Sequence, residues 1–163
     1  ELTDYTGEQH TLEQYRGKIV VLTFCSQGCP WSRGVEPDMA KLVEEFEGKD
    51  VVFIGIDADR DNSKEDIAKH AKEAGIPFPI LKDVDNEYAD VLRAAHTPEL
   101  FIVDSEGVLA YHGAFDDRVA PTEAGKTPYA ANAIHELLEG KKVSTPKVSA
   151  WGCTIKRVAK RGA

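Results

Sequence analysis

Cysteine is scarce in this chain. Three cysteines in 163 residues are too few for a disulfide scaffold, and the count is odd. Reactive or metal-binding cysteines fit that number better. Long apolar runs are also missing, and none approaches the length of a membrane span, so no membrane partner is expected. Positive charge is in deficit: 20 Lys and Arg stand against 28 Asp and Glu, a net charge of -8. That balance argues against a general nucleic-acid binder. The one basic cluster, Lys156, Arg157, Lys160 and Arg161, reads as a solvated end rather than a binding patch. Internal repeats and low-complexity segments are absent as well.

What is present is an ordinary soluble balance, 42% hydrophobic and 29% charged, at one domain's length. The chain is organised around the stretch from Leu22 to Arg33. An apolar β run, Ile19 to Phe24, leads into a short loop that ends on Cys29, and Pro30 follows. Val35, Met39, Leu42, Val43 and Phe46 then recur at helical spacing. Proline is a start signal in the first helical turn, because its missing N–H had no helical partner. Cys29 is therefore expected at or beside a helix N-cap, where free N–H groups and the positive dipole end favour a thiolate. The alternative is a buried structural cysteine.

Along the chain, Thr3 to Leu12 reads as a hairpin turning at Gly7. Ile19 to Phe24 is a buried strand of the parallel type. The helix from Pro30 is expected to reach Phe46, with a kink or a late start caused by Pro37, and to end at Gly48. Val51 to Ile56 is a second buried strand closed by Asp57. Ser63 with Asp66 forms a capping box for a helix ending at Gly75. Ile76 to Leu81 reads as an extended connector, and a helix from Asp85 or Asn86 places Tyr88, Val91, Leu92 and Ala95 on one face. A strand from Leu100 to Val103, a turn at Asp104 to Gly107 and a return from Val108 to His112 make a hairpin. A polar loop spans Gly113 to Thr127, and a last helix runs from Tyr129 to Leu138. The fold class is α/β: a central mixed β-sheet with helices on both faces, an N-terminal β-hairpin and an extended C-terminal tail. Residues 1–140 are expected to form the domain and residues 141–163 the tail that carries Cys153.

These residues resemble the thioredoxin superfamily. Cys29-Pro30-Trp31-Ser32 occupies the place of that superfamily's Cys-x-x-Cys signature, with Ser32 in place of the second cysteine. Thr97-Pro98 is similar to its cis-proline loop. The match is closer to the peroxiredoxin-like, AhpC/TSA-related branch, through Cys29-Pro30, Phe78-Pro79-Ile80-Leu81-Lys82-Asp83, Thr97-Pro98-Glu99 and the tail Gly152-Cys153-Thr154-Ile155-Lys156. The peroxidase pocket motif is half kept: Ser26 can replace its Thr, and Leu22 stands where it has Pro. The resemblance implies a thioredoxin-like fold, a redox function in antioxidant or thiol homeostasis, and no cofactor or resident metal. The compartment stays open between bacterial cytoplasm and periplasm. A start without Met is compatible with an upstream export signal or a further domain. The oligomeric state also stays open.

The candidate catalytic residues are Cys29, Cys25, Cys153, Thr97 and Pro98. Cys29 is the nucleophile, attacking either a disulfide sulfur or a peroxide oxygen, and each adduct needs a second thiol to clear it. Cys153 is the favoured resolving thiol through the shared tail motif, with Gly152 giving the backbone room for close approach. The competing view has Cys153 merely packing Trp151 and Ile155 against the domain. Cys25 is the other contender. Cys25-Ser26-Gln27-Gly28-Cys29-Pro30 is similar to Sco-type copper-delivery proteins, with His96 as a third ligand, and soft thiolates select Cu(I). Thr97 and Pro98 shape the wall opposite Cys29, where the Thr97 backbone can pair with an extended substrate strand. Ser32 can donate to the Cys29 sulfur or serve the first helical turn. Arg33 points to solvent or steadies the thiolate, Trp31 rims the site, and Asp57 is a proton acceptor or a loop-start carboxylate. The acidic run Asp57, Asp59, Asp61, Glu65 and Asp66 lacks the glycine and closing glutamate of a calcium loop and reads as a solvated loop and helix start. Three readings follow: a thiol–disulfide oxidoreductase or thiol peroxidase acting on protein or small-molecule thiols, disulfides or peroxide; a copper carrier; or a redox-silent binding domain.

Overall fold

The computed structural model describes residues 1–159. Ten strands and four helices follow in order: β1 (Leu2–Asp4), β2 (Gln9–His10), β3 (Ile19–Phe24), α1 (Pro30–Glu45), β4 (Val51–Asp57), α2 (Lys64–Ala74), β5 (Ile80–Lys82), α3 (Glu87–Leu92), β6 (His96–Thr97), β7 (Glu99–Val103), β8 (Leu109–Gly113), α4 (Tyr129–Leu138), β9 (Lys147–Val148) and β10 (Cys153–Thr154). Eight strands form a mixed sheet in the order β2-β1-β5-β4-β3-β7-β8-β9, and β10 pairs with β6 in a second, two-stranded sheet.

Strand β3 is buried along its whole length and pairs parallel with β4 and antiparallel with β7. Its alternation divides the core. Ile19 and Val21 pack with Val35, Met39 and Leu42 of α1 and Ala130, Ala133 and Ile134 of α4. Val20, Leu22 and Phe24 turn to the other face, to Ile54, Ile56, Phe101 and Ala89 of α3. A sheet covered on both faces needs strands that are apolar throughout, which is the pattern of Ile19 to Phe24. Each buried side chain of the Val, Leu or Met type contributes about 1.5–3 kcal/mol, so α1 is held mainly by its inner face.

Helix α1 starts at Pro30, with no late start, and runs on with Pro37 inside it. The capping box at α2 forms: Ser63 Oγ accepts from the Asp66 N–H, and the Asp66 carboxylate accepts from the Ser63 N–H. Gly75 closes α2 in the left-handed conformation at φ +63°. Two expectations need correction. The connector at Ile76 to Leu81 contains a strand, β5, which pairs parallel with β4 and antiparallel with β1. Pro77 and Pro79 have no N–H for a ladder, so pairing begins only after them. On α3, Val91 is exposed, and the residue sealed into the core is Ala89. The extended tail lies back along the body. β9 joins the main sheet beside β8, and Ile155 enters the core. In the basic cluster, Arg157 Nη1 pairs with Asp90 at 2.6 Å and its Nη2 donates to the Ala94 carbonyl. Lys160 and Arg161 lie outside the described residues.

Candidate active site

Cys29 is the N-cap of α1, with extended backbone at φ -99° and ψ 118°. Its sulfur accepts from the Ser32 N–H at 3.4 Å, so a first-turn donor already points at Sγ. The Arg33 N–H donates to the Cys29 carbonyl at 3.0 Å. Ser32 is buried, and its hydroxyl oxygen accepts from the Ser26 N–H at 3.0 Å, drawing the loop onto the helix start. A serine in this position helps shape the loop and offers no second sulfur.

The loop is braced from beneath by a buried polar network. Ser26 Oγ donates to Asp59 at 2.8 Å and accepts from Asn62 Nδ2 at 3.1 Å. Asn62 also donates to Asp57 at 2.8 Å. Lys82 Nζ lies 3.7 Å from Asp57 and donates to the Asp59 carbonyl. Burial pushes the Asp57 carboxyl up to about 6, against the contrary pull of Asn62 and Lys82. Asn62, Asp59 and Lys82 are members of this network that sequence reasoning missed; the acidic run read as a solvated loop is partly internal.

Opposite Cys29 stand Thr97 and Pro98, both buried, joined by a cis peptide bond. The Thr97 carbonyl oxygen is 3.2 Å from Cys29 Sγ. Glu99, also buried, accepts from the Ala95 N–H at 2.7 Å and pairs with His112 at 3.2 Å, which steadies the segment leading to Thr97.

The tail completes the site. Cys29 and Cys153 form a disulfide with a Cα–Cα distance of 6.0 Å, across 124 residues of sequence. Strand β10 lies antiparallel to β6, with Cys153 opposite Thr97 and Thr154 opposite His96. Gly152 has φ +129°, and a Cβ there would run into the Thr97 carbonyl and the Pro98 ring. Trp151 anchors one side: its Nε1 donates to the Asp116 carbonyl at 2.7 Å, and its ring lies 5.3 Å from that of Trp31. Arg118, whose side chain has no exposed surface, stacks on the Trp151 ring at 5.3 Å. Its guanidinium forks onto both oxygens of Asp116 at 2.9 Å and reaches Asp38 at 2.8 Å. Burial alone would lower the Arg118 pKa, but these carboxylates outweigh it and hold the charge. Ile155 anchors the other side, with its N–H donating to the Ala95 carbonyl at 2.9 Å. Trp151 and Ile155 pack against the body, and Cys153 still meets Cys29. Arg118 went unnoticed in the sequence, since its partners Asp38 and Asp116 are distant from one another along the chain.

Cys25 is set apart. Its thiol donates to the Ile56 carbonyl at 3.8 Å and lines a cavity of about 360 Å³ between α1 and α2, with Met39, Ile67, Phe78 and Asp57. Burial first, then the charges of Asp57 and Glu36, push its pKa well above the ordinary thiol value. The copper set is not gathered. Among the described residues, the His, Cys, Asp and Glu side chains close enough to share an ion are Asp4, Glu8 and His10, and the Cys29 sulfur is bonded to Cys153. In that distant trio, Asp4 and His10 already satisfy one another at 2.8 Å. Arg33 is exposed and Trp31 half-buried, as a solvent-facing cation and a rim would be.

A profile of the AhpC/TSA family matches residues 1–112. Over 106 residues the chain is 28% identical to the thiol-disulfide oxidoreductase ResA of Geobacillus kaustophilus, covering 65% of this chain and 60% of that protein. It is 30% identical over 108 residues to the thioredoxin-like protein YneN of Bacillus subtilis, covering 66% and 63%. The chain thus spans about 60% of the length of the first of these curated relatives. Two solved structures match nearly end to end. One is an uncharacterized conserved protein from Geobacillus kaustophilus, with a TM-score of 0.90, 29% identity and coverage of 98% and 89%. The other is the hypothetical protein SMc02350 from Sinorhizobium meliloti, with a TM-score of 0.87, 30% identity and coverage of 97% and 90%.

Proposed function

The chain belongs to the AhpC/TSA family, and from that premise we propose that it is a thiol–disulfide oxidoreductase cycling between a Cys29–Cys153 disulfide and the dithiol. The observation that carries this reading is the disulfide itself, seated on a helix N-cap and facing Thr97. In the reduced form the Ser32 N–H and the α1 dipole stabilise the Cys29 thiolate, the species that attacks. Cys29 attacks one sulfur of a partner's disulfide, forms a mixed disulfide and expels the other sulfur as a thiolate. Cys153, held beside it by Trp151 and Ile155, then attacks Cys29 Sγ. The partner leaves reduced by two electrons, and the Cys29–Cys153 bond is restored. Tethering by the tail gives Cys153 a high effective concentration at this step. Thr97 and Pro98 wall the site, and the Thr97 carbonyl accepts the Cys29 S–H while it is protonated. The partners of this reading are disulfides of proteins or small molecules. The thiol–disulfide oxidoreductase named among the relatives supports it.

The test is turnover of insulin disulfide by the purified protein with dithiothreitol as the reductant, beside a parallel arm with hydrogen peroxide. Cys29→Ser is expected to lose insulin reduction by a thousandfold or more. Pre-reduced Cys153→Ser, freed of dithiothreitol before insulin is added, should instead accumulate a mixed disulfide on Cys29, visible by intact-mass spectrometry. Insulin reduction by Cys29→Ser at the wild-type rate, above that of dithiothreitol alone, would refute the assignment. Turnover of peroxide alone would move the reading to a thiol peroxidase.

A further inference from the structure

The second sulfur is delivered by a strand, and the strand's seat has a stereochemical requirement. Along β6, His96 and Thr97 pair through their backbones with Thr154 and Cys153. Backbone pairing is indifferent to side chains. One position is different. Gly152 lies in the left-handed region at φ +129°, with its α-carbon pressed toward the Thr97 carbonyl and Pro98, and a Cβ would meet both. The anchors that hold the tail lie outside this pair, at Trp151 on one side and at Ile155 and Arg157 on the other. The pairing and the condition at Gly152 belong to the seat, so another strand that meets the same condition can pair there once residues 152–154 are lifted from it.

We propose that the β6 edge, closed by the tail in the disulfide form, takes after reduction an extended partner segment selected at one position: glycine immediately before its cysteine. This rests on the reading of Cys29 as the exchanging thiol and goes further by naming the segment that carries the partner's sulfur. The mixed disulfide holds the partner's sulfur on Cys29 where the Cys153 sulfur stood. The partner's preceding residue then faces the Thr97 carbonyl and Pro98 as Gly152 does. A residue bearing Cβ has both the collision and the positive φ against it. The step balances as before: the Cys29 thiolate bonds to the partner's cysteine sulfur, and the partner's other sulfur departs with the electron pair. Cys153 later takes the place of the partner's cysteine, which leaves as a thiolate.

The test uses reduced full-length Cys153→Ser protein, in which the mixed disulfide is trapped. The probes are Trp-Gly-Cys-Thr-Ile peptides whose cysteine carries nitrothiobenzoate, with glycine kept or replaced by alanine or valine. Each attack by Cys29 on the peptide sulfur releases the coloured thiolate. The glycine peptide is expected to react at least tenfold faster than the valine peptide, with alanine between. The double variant Trp151→Ala/Cys153→Ser, which loosens the tail, should raise the glycine-peptide rate several-fold and preserve the order. Dithiobis(nitrobenzoate), which has no backbone to pair, is the control for Cys29 itself. Equal rates for the glycine and valine peptides in both variants, with the control still reacting, would overturn the glycine requirement and leave the redox reading intact. Failure of the control to react with Cys29 would overturn both.

Discussion

Cys25 and Cys29 are four residues apart, and the two ends of that loop are different chemical environments. Cys25 closes a buried strand, looks into an apolar cavity and has Asp57 and Glu36 as its charged neighbours. Burial and these two charges oppose a thiolate. Cys29 opens a helix, with an N–H donor on its sulfur and the second sulfur brought to it from the far end of the chain. What separates a reactive from an inert cysteine here is the secondary structure beginning or ending at it. The tail then turns the reactive one into a pair.

That contrast can be strained at several points, the largest effect coming from the tail's anchor. Arg118→Ala leaves the Asp116 and Asp38 carboxylates without their buried partner. It should cost about 3–5 kcal/mol in urea unfolding, and it should loosen Trp151 over Cys29. A loss under about 1 kcal/mol would mean the guanidinium is not the clamp.

The Cys25 side carries a pH signature. Asp57 has its folded pKa raised to about 6, above the ordinary carboxylate value, so the folded chain binds that proton more tightly than the unfolded chain. Its contribution to stability is full below about pH 4 and is lost as pH rises toward 6, about 3 kcal/mol at most. Relative to wild type, Asp57→Asn should therefore gain stability steadily across that window in denaturant titrations. A flat difference would contradict a buried, proton-holding Asp57.

Alkylation reads the two sulfurs directly. In the reduced native protein at pH 7, iodoacetamide should modify Cys29 at least about a hundredfold faster than Cys25, because the thiolate is the reacting form. Peptide mapping of the labelled protein gives the ratio, and comparable rates would erase the distinction. Gly152→Ala brings a Cβ against the Thr97 carbonyl. In a glutathione redox buffer it should lower the equilibrium constant for the Cys29–Cys153 disulfide by about tenfold, or about 1.4 kcal/mol. Cys25→Ala has the smallest expected effect, insulin turnover within about threefold of wild type; a larger loss would draw Cys25 into the chemistry.

The sequence disclosed the elements whose signals are local. Pro30 after Cys29 marked the helix start, Ser63 and Asp66 marked a cap, and the nearly unbroken apolar run of Ile19 to Phe24 marked a strand buried on both faces. Thr97-Pro98 and Gly152-Cys153 were legible through the family resemblance, and they converge on Cys29 as that resemblance implied. What stayed hidden depends on partners far apart in sequence. Strand β5 follows two prolines and exists through its pairing with β4 and β1. Arg118 looks like any loop arginine until Asp38, Asp116 and Trp151 close around it. Arg157 looks like part of a solvated basic end until Asp90 meets it. Cys25 stood beside Cys153 as a contender for the second thiol, because the cavity and the charges that set it apart come from β4, α1 and α2.

The most direct measurement is a disulfide map of the oxidised, unreduced full-length protein by peptide mass spectrometry, with free thiols blocked before digestion. The account predicts one cross-linked peptide pair joining Cys29 to Cys153, with the blocking label on Cys25. A pair joining Cys25 to Cys29, or label on all three cysteines after oxidation, would contradict it.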